Sequence, residues 1–594
     1  MSEMLSQAND TLRNLFGFSE FRPNQKEIIE HVLSEKKLLA VMPTGAGKSL
    51  CYQIPAIVSS KRTIIISPLI ALMDDQVSSM KLLGVKVEKI HANIDRQEAI
   101  DAWLRFKNGE SKIIYMSPER LMTEKMLQSL QSLDIGLFVI DEAHCISKWG
   151  QSFRKDYEAL SQLKELFPES NVIGFTATAD EATRLDIADK IREKQDVLAK
   201  WMTLEVGKPL AEAKGEIGGA ADIFEWNAEE TKRIYGQTVE SRFEDTRVHV
   251  YYQPVGVVAA LSPWNFPAVL SARKISTALA AGCSVIIKPD VITPGVVMEM
   301  VDICRESGVP PGVVNLLSGD PPSIAQQLIA SDIVKKISIT GSSRVGKLIL
   351  KQAADKVQRV TMELSGHSPF IVFDDADIKK AADMAIAAKF RNNGQVCISP
   401  NRFYIHESKK EEFVNLFVDK TKKLKIGNGM DADTQLGPLT TEKRLNEIEE
   451  LVEKTKQEGA KVLLGGKRPA GFNKGFFYEP TIFDNVKDDY TIMKQEPFGP
   501  LVPMLSFKSF EEVIERANNH ELGLCSYVCT NSMEKAHLAS EQLETGTVGV
   551  NTGMIAIAEA PFGGIKQSGY GREGGSNAIK DYLNVKYTHL GIKG

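Results

Sequence analysis

The sequence has no long hydrophobic run and few cysteines for its 594 residues. No stretch approaches the roughly 18 uninterrupted apolar residues that a membrane-spanning helix needs, so we expect no membrane partner. Residues 1–16 lack the basic region and apolar run of a secretion signal. The cysteines are scattered and odd in number, which argues against a disulfide framework and for a reducing, cytoplasmic location. They stand at positions 51, 145, 283, 304, 397, 525 and 529.

A strong charge of either sign is also missing. The formal net charge is -5, with 72 basic and 77 acidic side chains. No general basic surface therefore points to nucleic acid, and any DNA contact must be local. Cys525 and Cys529 form the only close cysteine pair, without partners at zinc-site spacing, and we interpret them as packing residues. The composition, 43% hydrophobic and 25% charged, is that of a globular chain with several domains.

Short apolar runs bounded by turn or cap residues alternate with helical stretches along the chain. This order predicts an α/β fold in which buried parallel strands are joined by helices. We expect strands at 38–43, 63–68, 112–118, 137–141 and 171–178, and later at 255–263, 283–289, 335–341 and 368–375.

No linker rich in glycine, proline or serine separates the earlier strands from the later ones. Residues 180–203 instead predict one continuous helix. Ile187, Ile191, Leu198 and Trp201 have the spacing that lets side chains share one helix face.

A phosphate-binding motif, PTGAGKS, follows the first predicted strand at 43–49. Gly45 and Gly47 let the backbone close around phosphate, and the amides at the helix start stabilise its negative charge. Lys48 would reach the terminal phosphates of ATP, and Ser49 would ligate magnesium.

Paired carboxylates end the predicted strand at 137–141, in the sequence LFVIDEAH. Asp141 would hold the magnesium ion and Glu142 would position the attacking water. A solvated strand end is the alternative, and the preceding phosphate motif disfavours it.

Residues 16–187 resemble the first motor lobe of a RecQ-family DNA helicase, which implies a RecA-like parallel-sheet fold. The resemblance assigns adenine recognition to Gln25, in the segment FGFSEFRPNQ. In the segment at 143–157 it implies that Trp149, Phe153 and Arg154 couple stacked bases to the ATP site. The other matching segments are SPLIALMDDQV at 67–77, SPERL at 117–121 and TAT at 176–178.

The second lobe of such a motor is not recognisable in the rest of the sequence. That lobe supplies the arginines that stabilise the transferred phosphate, and an arginine finger is typically worth ~10³–10⁵ in rate. We therefore expect weak Mg-ATP binding at most, a weak local contact with single-stranded DNA, and no helicase activity.

Six motifs in the rest of the chain resemble the aldehyde dehydrogenase superfamily in their order and spacing, from about Ala188 to the C-terminus. They are SPWNFP at 262–267, KISITGSSRVGK at 336–347, VTMELSG at 360–366, NNGQVC at 392–397, QEPFGP at 495–500 and PFGGIKQSGYGREGG at 561–575. The resemblance implies a Rossmann-like cofactor domain, an α/β catalytic domain and a small β oligomerisation ribbon.

The catalytic residues that this resemblance implies have a clear chemical logic. Aldehyde oxidation needs a nucleophile that forms a tetrahedral adduct able to expel hydride, and the thiolate of Cys397 suits this. The Asn265 side chain and the Cys397 backbone N–H would form the oxyanion hole. Glu363 would activate the water that hydrolyses the thioester, and its presence disfavours a CoA-acylating reaction.

The same resemblance implies an NAD(P) site. Lys288 would contact the adenosine ribose, while the helix start after the strand at 335–341 would hold the pyrophosphate. Relatives that prefer NAD often carry a glutamate three residues after that lysine, where this chain has Val291. A 2′-phosphate is then not repelled, so we expect NADP or NAD. The cofactor-binding residues expected are Trp264, Lys288, Gly341, Ser342, Glu496 and Phe498.

Two arginines indicate the substrate class. Arg273 and Arg391 match positions that hold the distal carboxylate in succinate-semialdehyde dehydrogenases, although either could be a structural arginine instead. Ala556 replaces a serine that helps there, and ELSGHSP at 363–369 departs from the usual ELGGNAP. Succinate semialdehyde is the expected substrate, and glutarate or 2-oxoglutarate semialdehyde are the alternatives.

The resemblances also predict domains and assembly. The usual N-terminal arm of a dehydrogenase is not recognisable, which would leave apolar surface on the cofactor domain exposed. The strands near 246–256 and 582–590 resemble the oligomerisation ribbon, so we expect a homodimer or homotetramer. A DNA- or nucleotide-binding module and an inactive chimera are the alternatives to a working dehydrogenase. The expected boundaries are 1–187 for the helicase lobe, 188–365 for the NAD(P) domain, 366–560 for the catalytic domain and 561–594 for the closing segment.

Overall fold

A computed structural model of the chain forms two compact units, Met1–Ala182 and Thr183–Gly594. No helix among the described residues combines the length and apolar character that crossing a membrane requires. The structure describes residues 2–22, 25–34, 37–41, 47–67, 70–91, 94–141, 160–176 and 181–591.

The first unit is built on a six-stranded parallel sheet with helices between successive strands. Its inner strands Ile113–Met116 and Ile135–Asp141 are almost wholly apolar because both faces of the sheet are buried. In spatial order the strands are Lys37–Val41, Asn171–Thr176, Ile135–Asp141, Arg62–Ile66, Ile113–Met116 and Val87–Ile90. The helices are Ser2–Asn14, Gln25–Ser34, Leu50–Val58, Ile70–Leu82, Arg96–Lys107, Pro118–Leu121, Glu124–Gln131, Leu160–Gln162 and Leu163–Leu166.

Five of these strands confirm the sequence-based prediction, but the edge strand Val87–Ile90 was not predicted. Its charged residues Glu88 and Lys89 hide the apolar pattern. Glu88 is nevertheless buried, because Arg105 donates to its two carboxylate oxygens at 2.8 and 2.9 Å. A paired charge can therefore occupy an edge position that the pattern alone would exclude.

The second unit contains two larger sheets. The first has five parallel strands and one short antiparallel strand. The strands predicted at 255–263, 283–289 and 335–341 all lie in it. In spatial order it comprises Val314–Leu316, Ser284–Lys288, Val257–Leu261, Val334–Thr340, Arg359–Glu363 and Gly569–Tyr570.

The other large sheet has seven strands and contains the strand predicted at 368–375. Apolar side chains pack against both of its faces. Cys525 and Cys529 are buried in one of its strands. In spatial order it comprises Lys461–Leu464, Thr481–Asp484, Leu501–Phe507, Pro400–His406, Ser368–Val372, Cys525–Cys529 and Thr547–Val550, and a separate pair joins Leu522–Gly523 to Ile565–Lys566.

Helices cover these sheets and connect them. The helix Pro267–Ala280 is buried along nearly its whole length. The remaining helices are Gln195–Val206, Leu210–Glu230, Thr231–Arg233, Pro294–Glu306, Pro321–Ala330, Ser343–Ala353, Ala354–Lys356, Ile378–Phe390, Arg391–Gly394, Glu407–Lys409, Lys410–Thr421, Glu442–Gln457, Thr491–Lys494, Phe510–Asn518, Met533–Gln542 and Gly575–Lys580.

A small antiparallel sheet joins Gln237–Glu240, Thr246–Pro254 and Leu583–Gly591. The strands expected near 246–256 and 582–590 therefore exist and pair with one another. Val585 and Tyr587 are exposed on this ribbon. Assembly through it stays a prediction.

The prediction of one continuous helix over 180–203 is wrong. The chain forms Glu181–Glu193 and Gln195–Val206, which are separated at Lys194. The ammonium of Lys194 lies 2.7 Å from Glu299 and 3.2 Å from Glu306 on a neighbouring helix. These long-range ion pairs hold the chain at the break, and the local sequence pattern does not contain them.

One face of the helix Gln195–Val206 leaves large apolar side chains in solvent. Ile187, Ile191 and Leu198 are buried, whereas Trp201 is 50% exposed and Leu204 is 70% exposed. Exposed apolar surface was expected in this unit, and this helix carries part of it.

Residues 207–209 form the turn after that helix, and this turn packs against Gly437. An added Cβ at Gly437 would lie 2.0 Å from the carbonyl oxygen of Gly207. Gly437→Ala must push two backbone segments apart, so we expect a lower stability by about 1–3 kcal/mol, measured by denaturant unfolding.

Gly215→Ala is the matched control, because an added Cβ there meets nothing within 4 Å inside the helix Leu210–Glu230. It should leave stability unchanged or raise it by roughly 0.5–1 kcal/mol. Equal unfolding midpoints for Gly437→Ala and the natural chain would contradict the prediction.

Candidate active site

Cys397 lies where two cavities meet. A large cavity of about 590 Å³ and a smaller cleft of about 230 Å³ are both lined by this residue. Its side chain is half-buried. A group bound in either cavity can therefore reach the same sulfur atom.

A run of left-handed backbone brings the chain to Cys397. Asn392, Asn393 and Gly394 have φ angles of +46°, +54° and +76°. Asparagine tolerates this conformation better than most residues, and glycine adopts it freely. Gly394 is also required sterically, because an added Cβ would lie 2.3 Å from the carbonyl oxygen of Gly499. The motif NNGQVC therefore forms the turn that positions Cys397.

Asn265 is buried beside this turn, after the strand Val257–Leu261. Its backbone oxygen accepts hydrogen bonds from Lys208 Nζ at 2.8 Å and from Asn392 Nδ2 at 3.1 Å. Its side-chain Nδ2 donates to the carbonyl oxygen of Gln395 at 3.2 Å. The amide is therefore held next to the segment that carries Cys397.

Glu363 ends the strand Arg359–Glu363 and is buried. Within the described residues neither of its carboxylate oxygens has a hydrogen-bond partner of ordinary geometry. Desolvation and the charge of Glu573 raise the pKa of Glu363 to about 8, although the nearby Cys397 thiol and Lys274 oppose the shift. A buried carboxyl group with free oxygens and this pKa suits a general base.

The thiol of Cys397 is affected by the same surroundings. Burial and then the charge of Glu363 raise the pKa of this thiol well above its ordinary value. The thiol proton therefore needs an acceptor before the sulfur can attack, and Glu363 is the carboxylate beside it.

A buried charged pair lies close to Glu363. Lys274 is buried and forms an ion pair with Glu573, and its Nζ donates to Thr340 Oγ1 at 2.7 Å. Sequence reasoning missed both members of the pair. The available signal was a lysine inside the otherwise uncharged face of the buried helix Pro267–Ala280, where a charge requires a partner.

Aromatic and charged side chains line the smaller cleft. Trp264 and Phe498 meet edge to face with ring centroids 5.7 Å apart. Arg444 lies 5.3 Å from the Phe498 ring, and Phe498 itself has a φ of +48°. This rare backbone conformation marks a residue held in place by its surroundings. Arg444 was not singled out from the sequence.

Glu496 faces the same cleft. Its Oε1 accepts a hydrogen bond from the Gly366 N–H at 3.3 Å. Desolvation raises the pKa of Glu496 to about 7, against the hydrogen bonds from Ser365 and Gly366 and the charge of Arg444. Ser365 belongs to the ELSGHSP departure and lines the cleft. Gly366 is required there, since an added Cβ would lie 2.2 Å from the Cys397 carbonyl oxygen.

The helix Ser343–Ala353 begins at this cleft. Ser342 caps it by accepting from the Val345 N–H at 3.3 Å, and an added Cβ at Gly341 would meet nothing within 4 Å. Open space at a helix start suits a pyrophosphate, and the cleft side chains suit a ribose and a flat ring. These residues therefore fit a dinucleotide.

Lys288 does not line the cleft. It ends the strand Ser284–Lys288, and its Nζ donates to the carbonyl oxygen of Pro289 at 2.8 Å. Val291 follows it on the surface and is 51% exposed. Lys288 thus lies at the carboxyl end of a strand that pairs with Val257–Leu261, outside the residues that line the cleft.

The two arginines expected from the sequence both line the large cavity but differ in their contacts. Arg273 is buried and donates to the backbone oxygens of Ile557 at 3.1 Å and Glu573 at 3.3 Å. Arg391 lies 4.6 Å from the Phe266 ring, and within the described residues its guanidinium makes no hydrogen bond or ion pair. Of the two arginines, Arg391 is therefore the one whose guanidinium N–H groups are available to a ligand in the cavity.

In the first unit, the strand and helix ends bring several expected residues together. Lys48 Nζ lies 3.1 Å from Asp141, and Ser49 Oγ accepts from Gln76 Nε2 at 3.3 Å. The Tyr52 hydroxyl donates to Asp141 at 2.9 Å. Lys48 and Asp141, two of the residues expected at a phosphate and magnesium site, thus face each other.

Gln25 packs on the same loop. Its Nε2 donates to the Gly47 carbonyl oxygen at 3.2 Å, and an added Cβ at Gly47 would lie 2.4 Å from that nitrogen. No cluster of three or more His, Cys, Asp or Glu ligands occurs in the described part of the chain. Gly45, Glu142, Trp149, Phe153 and Arg154 lie outside the described residues.

Comparison with known proteins gives two family matches. Residues 176–588 match the aldehyde dehydrogenase family model, and residues 22–186 match the DEAD/DEAH box helicase model. The chain is 45% identical over 400 residues to a glutarate-semialdehyde dehydrogenase of Pseudomonas putida, covering 67% of this chain and 82% of the relative. It is 44% identical over 400 residues to the NADP(+) succinate-semialdehyde dehydrogenase GabD of Escherichia coli, covering 67% and 83%.

A solved structure agrees with these relatives. The succinate-semialdehyde dehydrogenase from Burkholderia pseudomallei superposes with a TM-score of 0.68 at 43% identity, covering 69% of this chain and 85% of that one. Aldehyde dehydrogenases use NAD(P) and act on small aldehydes, which agrees with a cysteine that lines both a cleft beside a helix start and a second, larger cavity. The chain belongs to the aldehyde dehydrogenase family and also carries a DEAD/DEAH box helicase domain.

Proposed function

We propose that the chain oxidises a carboxylate-bearing semialdehyde with NAD(P), and that succinate semialdehyde is converted to succinate. The single observation that carries this proposal is the position of Cys397 between two cavities. One cavity offers Arg391, whose guanidinium makes no hydrogen bond or ion pair within the described residues, and the other offers a helix start and side chains suited to a ribose and a flat ring.

Cys397 is the nucleophile in this proposal. Glu363 takes the thiol proton, since its own pKa of about 8 makes it a fitting acceptor beside the sulfur. The thiolate then adds to the aldehyde carbon and forms a thiohemiacetal. The Asn265 amide and the Cys397 N–H stabilise the oxyanion, where one such donor is typically worth ~2.7–4 kcal/mol.

The bound nicotinamide supplies the hydride acceptor. Trp264, Gly341, Ser342, Glu496 and Phe498 would hold the cofactor, and Lys288 would meet its adenosine end. Hydride transfer turns the adduct into a thioester on Cys397, and Glu363 releases the thiol proton to solvent. Ionised again, Glu363 deprotonates a water that attacks the thioester, and the sulfur leaves as a thiolate. The charge of Glu573 raises the pKa of Glu363, which makes Glu363 a stronger acceptor for these protons.

The same site suggests how substrate and cofactor are chosen. Arg391 presents an unused planar fork to the large cavity, which matches the two oxygens of a carboxylate. Arg273 is tied to two backbone oxygens and shapes the cavity wall. The exposed Val291 offers no carboxylate to repel a 2′-phosphate, so the proposal favours NADP with NAD also accepted.

The direct test is NADPH or NADH formation from succinate semialdehyde, followed by absorbance. The natural chain should reduce the cofactor and Cys397→Ala should not. Glu363→Gln should lower kcat by ~10²–10⁴, the range of a lost general base. Equal rates for the natural chain and Cys397→Ala would contradict the proposal.

The pH profile of the same assay checks the base. Because Glu363 acts in its ionised form, kcat should rise with pH until about 8 and level off above it. Glu573→Gln removes a charge that raises the pKa of Glu363, so the rise should move to lower pH. A profile that is flat between pH 6 and 9, or the opposite shift, would count against the assignment.

The substrate selectivity of Arg391 variants tests whether this arginine binds the carboxylate of the substrate. Arg391→Met should lower kcat/KM for succinate semialdehyde by roughly 10- to 100-fold, the loss of about 1.5–3 kcal/mol of charged hydrogen bonding. The uncharged aldehyde butanal should react with both forms at similar kcat/KM, and Arg391→Lys should fall between them. A parallel loss for both substrates would mean that Arg391 supports the fold instead of binding the carboxylate.

A second candidate function rests on the first unit. Lys48 and Asp141 face each other at 3.1 Å beside Ser49. We propose that this site binds Mg-ATP weakly, with phosphate oxygens completing the magnesium shell around Ser49 and Asp141. Without a second lobe the unit would not separate strands, and any contact with single-stranded DNA would be weak.

Titration with a fluorescent ATP analogue and magnesium tests this site. Lys48→Ala should weaken binding at least about tenfold, because it removes a charged partner of the phosphates. Lys61→Ala is the matched control, since Lys61 forms an exposed ion pair with Asp134 at 3.1 Å in the same unit. Equal affinities of Lys48→Ala and Lys61→Ala for the ATP analogue would contradict a nucleotide site at Lys48. ATP hydrolysis stimulated by single-stranded DNA would support the DNA contact.

A further inference from the structure

A fully buried ion pair lies beneath Asn265 and has no role in the chemistry proposed above. Lys208 Nζ and Glu216 Oε2 are 2.5 Å apart, and both side chains are completely shielded from solvent. The pair joins the turn at 207–209 to the helix Leu210–Glu230. Withdrawing both charges from water costs free energy that their attraction only partly returns.

The remaining contacts of Lys208 are made with the catalytic segment. Its Nζ donates to the Asn265 backbone oxygen at 2.8 Å and lies 3.9 Å from the centroid of the Phe266 ring. Burial lowers the pKa of Lys208, while Glu216 counteracts the shift. The ammonium group thus has one carboxylate, one carbonyl and one aromatic face around it.

Glu216 extends the same attachment along the chain. Its Oε1 accepts the N–H groups of Ala268 at 2.9 Å and Val269 at 3.4 Å, at the start of the helix Pro267–Ala280. A carboxylate is stabilised by the free N–H groups of a helix start. Residues 265–269 are therefore fixed at one end by the ammonium and at the other by the carboxylate.

The same helix also holds the other side of the oxyanion site. Glu212 Oε2 accepts the Asn392 N–H at 2.7 Å, and Asn392 Nδ2 donates to the Asn265 carbonyl oxygen at 3.1 Å. Glu212 and Glu216 are four residues apart and lie on one face of the helix. The helix Leu210–Glu230 therefore holds both the turn that carries Cys397 and the segment that carries Asn265.

We propose that Lys208 is a positioning residue that fixes the Asn265 amide where the oxyanion forms. This inference rests on the proposed function of Asn265. A buried ion pair is weak evidence for stability, and here each of its charges contacts backbone of the catalytic segment. Removing Lys208 therefore misplaces the amide while leaving the sulfur and its base intact.

A double-mutant cycle between Lys208 and Asn265 tests the proposal. The probe is hydrolysis of p-nitrophenyl acetate at pH 8.5, because acylation of Cys397 by an activated ester needs the oxyanion donor but neither cofactor nor semialdehyde. Asn265→Ala should lower the acylation rate by ~10²–10³. Lys208→Met should lower it at least about tenfold in the natural chain and less than about twofold in the Asn265→Ala background.

Equal losses in the two backgrounds would overturn the proposal, because Lys208 would then act independently of Asn265. Failure of the natural chain to oxidise succinate semialdehyde, with normal ester hydrolysis and the expected cycle, would remove the proposed substrate but leave the positioning role. Absence of both reactions in the natural chain would overturn both.

Two controls separate positioning from a loss of fold. Alkylation of Cys397 by iodoacetamide requires no oxyanion donor, so Lys208→Met should keep the natural alkylation rate. Lys214 lies on the same helix as Glu216 and forms a half-exposed ion pair with Asp196. Lys214→Met removes that pair and should keep the natural rate of ester hydrolysis. If Lys208→Met does not fold, Lys208→Met/Glu216→Gln removes the uncompensated charge, and the cycle with Asn265→Ala is repeated on that variant with the same two outcomes.

Discussion

Desolvation of the charged groups around Cys397 is the constraint on which the site depends. Burial raises the pKa of the Cys397 thiol and of Glu363 together, so both groups release a proton less readily than they would in water. The Lys274–Glu573 pair then adjusts this balance without touching the sulfur.

Much of the fold follows from local pattern, and its failures have a common physical cause. Apolar runs were sufficient for strands such as Ile135–Asp141 and Ser284–Lys288, because both faces of these parallel sheets are buried. The edge strand Val87–Ile90 contains charged residues that hide its apolar pattern, and Lys194 at the helix break pairs with glutamates more than 100 residues away along the chain. Periodicity carries no information about such pairs.

The site divides in the same way. Cys397, Glu363 and Asn265 were found because each stands in a motif, and the structure brings them to one place. Lys208 and Lys274 were not singled out from the sequence, and their partners lie eight and 299 residues away along the chain. A lysine within an apolar stretch signals that a partner must exist, whereas only the fold reveals which one.

The two arginines show why residue type alone cannot assign a role. Arg273 and Arg391 line one cavity and carry the same resemblance, but the donors of Arg273 are directed to the oxygens of Ile557 and Glu573. Those bonds close the loop that ends at Glu573, whose charge acts on Glu363. Arg273 therefore holds backbone in place, whereas the proposal assigns recognition of a carboxylate to Arg391, whose guanidinium makes no hydrogen bond or ion pair within the described residues.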